Sequence, residues 1–210
     1  NSISASFKTA FGIPPIVIGV ICAVIAAFIF LGGVSRIASV TEKLVPVMAC
    51  FYIIGCGAIL VINHAAIIPA FRSIFVAAFD PQAILGGAVG ITVQQAMRYG
   101  VARGLFSNEA GMGSTPHAHA LAKVEKPQDQ GEIAIISVFI DTFIVLTLTA
   151  MVILTSGQLQ AGVPGGLQGT ELAQAAFNTT MGSFGNIFVA VCMLFFAFST
   201  IIGWYFFGET

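Results

Sequence analysis

Ser199 and Thr200 stand with Trp204 in FAFSTIIGWYFFGE (196–209), a run that is otherwise almost entirely apolar. On a helix, Thr200 and Trp204 lie one turn apart on one face, Phe196, Gly203 and Phe207 share that stripe, and Ser199 borders it. Hydroxyl oxygens suit a hard cation such as Na+, which takes oxygen ligands. An indole adds an apolar wall and an N–H donor that can orient a small zwitterion. The plain alternative is that both hydroxyls bond back to the preceding turn.

Three other groups could carry chemistry. Asp141 is a carboxylate well inside an apolar run, FIDTFIVLTLTAMVIL (139–154). In hydrocarbon it must be paired, protonated or facing water. It could handle a cation or proton, or it could pair with Arg98 or Arg103 or with the loop before it. Gly86 and Gly90 in LGGAVG (85–90) are followed by Gln94 and Gln95. That run can break a helix and line a path, or its small residues and amides can serve helix packing alone. His117 and His119, two apart, fall on different faces of a helix and read better as a solvated helix start than as metal ligands.

The fourth group is a polar, glycine-rich loop, GLFSNEAGMGSTPHAHALAKVEK (104–126). Part of it is punctuation. Gly104 can take the left-handed position that closes the preceding helix. Thr115 can cap a short helix from Pro116 to about Lys123, with Pro116 first in the helix. Ser107, Asn108, Glu109, Gly111, Gly113 and Ser114 are left without that explanation. Ser107, Asn108 and Glu109, with the Gly111 and Gly113 bends, are expected to act as a hydrogen-bonded latch on the inner ends of neighbouring helices.

The elements that must position these groups follow from composition. The 210 residues are 57% hydrophobic and 8% charged, where a soluble domain carries about a quarter charged. Lipid must be the solvent over most of the surface. A formal net charge of −1 supplies no basic face for nucleic acid. Cys22, Cys50, Cys56 and Cys192 sit in apolar runs without metal-like spacing and read as small buried hydrophobes. The chain opens inside NSISASF and stops at FGET, which reads as an internal piece of a longer protein.

Transmembrane helices need about 20 apolar residues, and five candidates appear: 12–32, 44–63, 82–100, 133–155 and 185–208. The fold class is therefore all-α, a polytopic membrane helical bundle in a single domain over 1–210. With loops 33–43 and 101–132 on one side, Arg36, Lys43, Arg98, Arg103, Lys123 and Lys126 fall there and only Lys8 and Arg72 opposite. By the positive-inside rule those loops are cytoplasmic. Segment 68–82 is expected along the membrane surface, and 155–180 as a loop leading into a short helix.

RYGVARGLFSNEAGMGS (98–114) resembles the signature of the alanine/glycine:cation symporter family, the sodium:alanine symporters of bacteria and archaea. VTEKLVPVMACFYIIG (40–55), 139–154 and 196–209 continue the likeness. The resemblance implies a leucine-transporter-like inverted-repeat fold, in which residues 1–11 end helix three and the five spans are helices four to eight. It implies symport of alanine or glycine with Na+, or with H+ in its place, across the plasma membrane. Na+ is then the coupling ion, no cofactor is needed, and the chain is not an enzyme. By the same analogy the last span gives Ser199 and Thr200 to the ion. Thr200, Trp204 and Phe196 go to the substrate, with Gly86, Gly90 and Gln94. An ion channel, a membrane scaffold or a membrane-embedded enzyme remains the alternative.

Overall fold

The computed structural model describes residues 2–79, 93–159 and 166–209. They are helical throughout, with no strand among the described residues. The first four helices are α1 (Ser2–Phe11), α2 (Pro15–Phe30), α3 (Gly33–Ile62) and α4 (His64–Phe79). After residue 92 come α5 (Val93–Leu105), the short α6 (Glu109–Met112) and α7 (Thr115–His119), and α8 (Pro127–Phe139). A π-helical turn (Ile140–Leu146) joins α8 directly to α9 (Thr147–Ser156). The last two are α10 (Gly169–Met181) and α11 (Ser183–Glu209).

Three helical stretches among the described residues are long and apolar enough to cross a membrane: Gly33–Ile62, Pro127–Ser156 and Ser183–Gly208. Pro15–Phe30 and His64–Val76 are shorter apolar helices. Ile16, Val20, Val24, Phe28 and Leu31 on or beside α2 are all exposed. Such a face suits lipid rather than water.

Several expectations change. Residues 33–43 are not a loop: they form the first third of α3, and Pro46 lies inside that helix instead of in its first turn. Ser35, Arg36, Thr41, Glu42 and Lys43 look like a polar connection, yet a helix needs only one apolar face. Arg36 is not a free loop charge either. Its guanidinium lies 4.8 Å from the centroid of the Phe28 ring, and its Nη1 donates to the Phe28 carbonyl at 3.0 Å. It thereby ties the end of α2 to the start of α3. Gly104 does not close its helix; α5 runs on to Leu105. The fourth span begins at Pro127, where proline fits the first helical turn. Segment 68–82 belongs largely to α4, which buries Ala70 in the core.

That core joins five helices, α4 contributing Ala70. Tyr52, Cys56 and Ile59 of α3 meet Met151 and Val152 of α9, Ala176 and Phe177 of α10, and Phe188, Val189 and Cys192 of α11. Phe177 and Phe188 stack at 5.4 Å, and Phe196 meets Tyr52 edge-on, also at 5.4 Å. Gly55 admits this crossing, since a Cβ there would collide with the Phe188 ring. Between membrane helices such packing, rather than water exclusion, is the main attraction, and small residues permit it. A second cluster, Ala26, Ile29, Ile37, Phe198 and Ile202, binds α2, α3 and α11.

The bundle has two recognisable ends. At one, the start of α3, the end of α7 with the residues just after it, and the end of α11 line a shared apolar groove, with His117 and Phe207 ring centroids 5.9 Å apart. At the other, α10 is tied to its neighbours by amides. Asn63 donates to Thr180 at 2.8 Å, and Gln174 donates to the Ser6 carbonyl at 3.0 Å and the Asn186 carbonyl at 3.4 Å.

Candidate functional site

On α11 the hydroxyls make the back-bonds that were the plain alternative in the sequence. Ser199 Oγ and Thr200 Oγ1 each donate to the Phe196 carbonyl at 2.9 Å. This is the back-bond of membrane hydroxyls. With their hydrogens used in donation, both oxygens keep lone pairs as acceptors. Ser199 faces α3, and its Oγ also donates to Met48 Sδ there at 3.8 Å. Thr200 is exposed, and Trp204, 50% exposed, meets Phe207 edge-on at 6.1 Å. The structure therefore brings Phe196 to Tyr52 and Ser199 to Met48. It gives neither Thr200 nor Trp204 a hydrogen bond or ring contact with another helix. Gly86, Gly90 and the expected break between them lie outside the described residues. Gln94 falls in the first turn of α5, and its side chain also lies outside them.

The loop from Ser107 to Ser114 is built in detail. Asn108 is extended (φ −153°, ψ 172°) and caps α6, its Oδ1 accepting from the Gly111 amide at 3.1 Å. Its other end is free to reach outward, and Nδ2 donates to Thr142 Oγ1 at 3.0 Å. The one amide thus closes a turn and ties the loop to the π-helical turn. Ser107 Oγ donates to the Gly104 carbonyl at 2.9 Å, and Ser114 donates to Glu109. Glu109 is therefore held within the loop, while Asn108 makes the link between helices.

The two glycines have separate reasons. Gly113 closes α6 in the left-handed region (φ 78°), which a Cβ disfavours. Gly111 lies so close to α5 that a Cβ would strike the Leu105 carbonyl oxygen. Ser114 takes the cap position of α7, so Thr115 and Pro116 are its first two residues and the helix ends at His119, short of Lys123. Thr115 Oγ1, freed from capping, is buried without a partner.

Asp141 stands in the first turn of the π-helical segment. Wide turns of this kind concentrate at functional positions. It forms no ion pair with Arg98 or Arg103, and its Oδ2 is buried without a hydrogen-bond partner. Instead it shares a cavity of 330 Å³ with Ser107, Asn108, Glu109, Thr115 and Ser137. Asp141 and the loop had been considered together from the sequence. Thr142, Thr115 and Ser137 had not been read as parts of the same site. Thr142 adjoins Asp141 in the chain, and that adjacency was the available signal.

His117 and His119 point to separate partners: His117 Nδ1 lies 3.1 Å from the Ser114 carbonyl, His119 Nδ1 2.8 Å from Gln130 Nε2. Among the described residues no three His, Cys, Asp or Glu side chains converge as a metal cluster.

Long apolar helices, back-bonded hydroxyls and a polar loop set against a π-helical turn define a multi-pass helical membrane protein. Residues 1–210 match the sodium:alanine symporter family, and the chain belongs to that family, whose members are transporters and not enzymes. It is 40% identical over 211 residues to the sodium/alanine symporter AgcS of Methanococcus maripaludis, covering all of this chain and 45% of that one. It is 38% identical over 221 residues to the sodium/proton-dependent alanine carrier protein of Bacillus sp. PS3, covering 100% of this chain and 49% of that one. The amino-acid carrier protein AlsT of Bacillus subtilis is 40% identical over 210 residues, again all of this chain and 43% of the relative. The chain thus spans a little under half the length of these relatives.

Proposed function

We propose that the chain works within a secondary carrier that moves a small neutral amino acid, alanine or glycine, inward with Na+ across the bacterial or archaeal plasma membrane. The observation that carries this reading is the pair of α11 hydroxyls. Thr200 spends its hydrogen on the Phe196 carbonyl, Ser199 shares its own between that carbonyl and Met48 Sδ, and both oxygens keep lone pairs as acceptors. An oxygen pair of that kind suits Na+, and Trp204 one turn on is placed to wall a small pocket. The names of the relatives, sodium/alanine symporter and sodium/proton-dependent alanine carrier, agree with it. Na+ is the coupling ion in this reading and H+ its competitor. Inward movement of one positive charge contributes about 2.3 kcal/mol per 100 mV of membrane potential.

The fold in this reading is the leucine-transporter-like inverted repeat, crossed five times by this chain, with α2 and the segment ending in α5 supplying two of the crossings. Segments 33–43 and 101–132 face the cytoplasm. The shared groove at the start of α3, α7 and the end of α11 supports placing them on one side. Gly86, Gly90 and Gln94 complete the substrate path. Asn108, held to Thr142, is the working part of the latch on the inner ends of the helices; Ser107, Glu109, Gly111 and Gly113 shape it.

The test is uptake of labelled alanine and glycine by the full-length protein in proteoliposomes, with the Na+ and H+ gradients imposed one at a time. Saturable uptake driven by Na+ alone supports the proposal. Uptake driven by H+ alone reassigns the ion. A conductance without saturation, or no substrate movement, favours the channel or scaffold.

A further inference from the structure

We propose that the cavity between the 107–115 loop and the π-helical turn is a second seat for a hard monovalent cation, separate from the α11 hydroxyls, with the Asp141 carboxylate as its charged ligand. The proposal does not rest on the carrier reading, because binding at this cavity can be measured without transport.

Two polar atoms lining this cavity are cut off from solvent and have no partner: Asp141 Oδ2 and Thr115 Oγ1. They come from different elements, the π-helical turn and α7, separated by 25 residues of sequence that run out through α8. A buried carboxylate oxygen without a donor is a large unpaid desolvation, which a protein tolerates when something else supplies positive charge. Among the described residues, no Lys or Arg lines the cavity. His119 lines it, but its Nδ1 is engaged by Gln130. Among the described residues, none that lines the cavity supplies the counter-charge, and a bound cation would.

The remaining lining groups fit a small hard ion. Ser137 Oγ gives its hydrogen to the Ile133 carbonyl at 2.9 Å and so offers only lone pairs inward. Thr115 adds a second hydroxyl oxygen, and Asp141 a carboxylate. Glu109 also lines the wall, but its carboxylate accepts from Ser114 and belongs to the loop. One uncommitted carboxylate among neutral oxygens balances a single positive charge. A divalent ion would call for more carboxylates, and a soft metal for Cys or His, and no such cluster is present among the described residues.

The geometry also says what occupancy would do. Asp141 and Thr142 are neighbours on the π-helical turn; the first faces the cavity, and the second holds Asn108. An ion bridging Asp141 to Thr115 would join the π-helical turn to the start of α7, beside the Asn108–Thr142 bond that joins the same turn to the cap of α6. Filling the seat therefore fastens the loop to the helix, and emptying it loosens them.

The experiment is equilibrium binding of 22Na+ to the full-length protein in lipid nanodiscs, with choline as the replacing ion. In a Ser199→Ala, Thr200→Ala background, saturable 22Na+ binding should persist. Adding Asp141→Asn should abolish it, and adding Thr115→Val instead should raise the dissociation constant by about tenfold, equivalent to about 1.4 kcal/mol. Monodispersity and retained helical circular dichroism show that each variant is folded. Thr115→Val keeps the test alive if Asp141→Asn does not fold, because it preserves shape and charge. The proposal is overturned by loss of all Na+ binding in the α11 double variant. It is equally overturned by residual binding that ignores both Asp141→Asn and Thr115→Val, or by a cavity that responds to pH but not to Na+.

Discussion

Tyr52 Oη and Thr149 Oγ1 lie 2.7 Å apart, joining α3 to α9 across 97 residues of chain. Thr149 gives its own hydrogen to the Val145 carbonyl, also at 2.7 Å. The hydrogen between the two hydroxyls must therefore be Tyr52's, and Thr149 is the acceptor. The bond fixes α9 one turn beyond the π-helical segment, so that the wide turn has a firm support on its inner side.

This direction predicts an asymmetry. Tyr52→Phe removes a donor and leaves Thr149 with its bond to Val145 intact. Thr149→Val removes the acceptor and strands the Tyr52 hydroxyl in a buried place. Hydrogen bonds between membrane helices contribute about 0.6 kcal/mol on average, and a stranded buried group costs about 1–3 kcal/mol. Thermal unfolding in detergent should show Thr149→Val as the more damaging change. Equal effects would mean that the donor has been assigned wrongly.

The latch can be probed through Thr142. Thr142→Val deletes the acceptor for Asn108 while leaving the Asn108 cap on Gly111 in place. Maximal uptake should fall several-fold, with the half-saturating substrate concentration changing by less than about twofold, the pattern expected when a step other than binding is slowed. Glu109→Gln, which keeps an acceptor for Ser114, should have the smaller effect. A Thr142→Val protein with normal maximal uptake removes the latch from the mechanism.

Gly111 and Gly113 fail for different reasons and should fail differently. Gly111→Ala drives a methyl into the Leu105 carbonyl, so α5 and α6 must part; overpacking of this kind costs about 1–3 kcal/mol. Gly113→Ala must hold a left-handed backbone, at about 1–2 kcal/mol. Side-chain relaxation of Leu105 cannot rescue Gly111→Ala, since the colliding atom is main chain. Melting temperatures of the two variants, and limited proteolysis within 104–126, measure the effect. Unchanged stability in both would contradict the loop geometry.

The α11 site has its own signature. Thr200→Ser keeps the oxygen and should leave Na+ dependence near normal. Thr200→Val keeps the shape without the oxygen and should raise the half-activating Na+ concentration about tenfold, equivalent to about 1.4 kcal/mol. Trp204→Ala should admit larger amino acids in competition assays, while leaving Na+ dependence nearly unaltered. If Thr200→Val and Thr200→Ser behave alike, Thr200 does not hold the ion.

The hydrophobic windows were legible because lipid imposes a coarse, one-dimensional rule on composition, and α3, the α8–α9 stretch and α11 obey it. Residues 33–43 were misread because Arg36, Glu42 and Lys43 look like a wet loop to a composition rule, although a helix carries them on one face. Asn108 and Asp141 stood out because polar groups in oily surroundings need a reason. Thr115 and Ser137 did not, since threonine and serine are ordinary in such helices and only the fold reveals what they face. The π-helical turn is a difference of one residue in hydrogen-bond register, and Ile140–Leu146 has no composition that announces it. The direction of the Tyr52–Thr149 bond depends on a competing acceptor one turn away, which no single-sequence pattern encodes.

Gln174, 1% exposed, makes its two bonds to main-chain oxygens, the Ser6 and Asn186 carbonyls. Every residue type presents a carbonyl there, so neither bond depends on the side chains at positions 6 and 186, although the Asn186 side chain accepts separately from Asn178 at 2.7 Å. Those two bonds rest on a single codon, 174, and a change there has no second-site remedy among its acceptors.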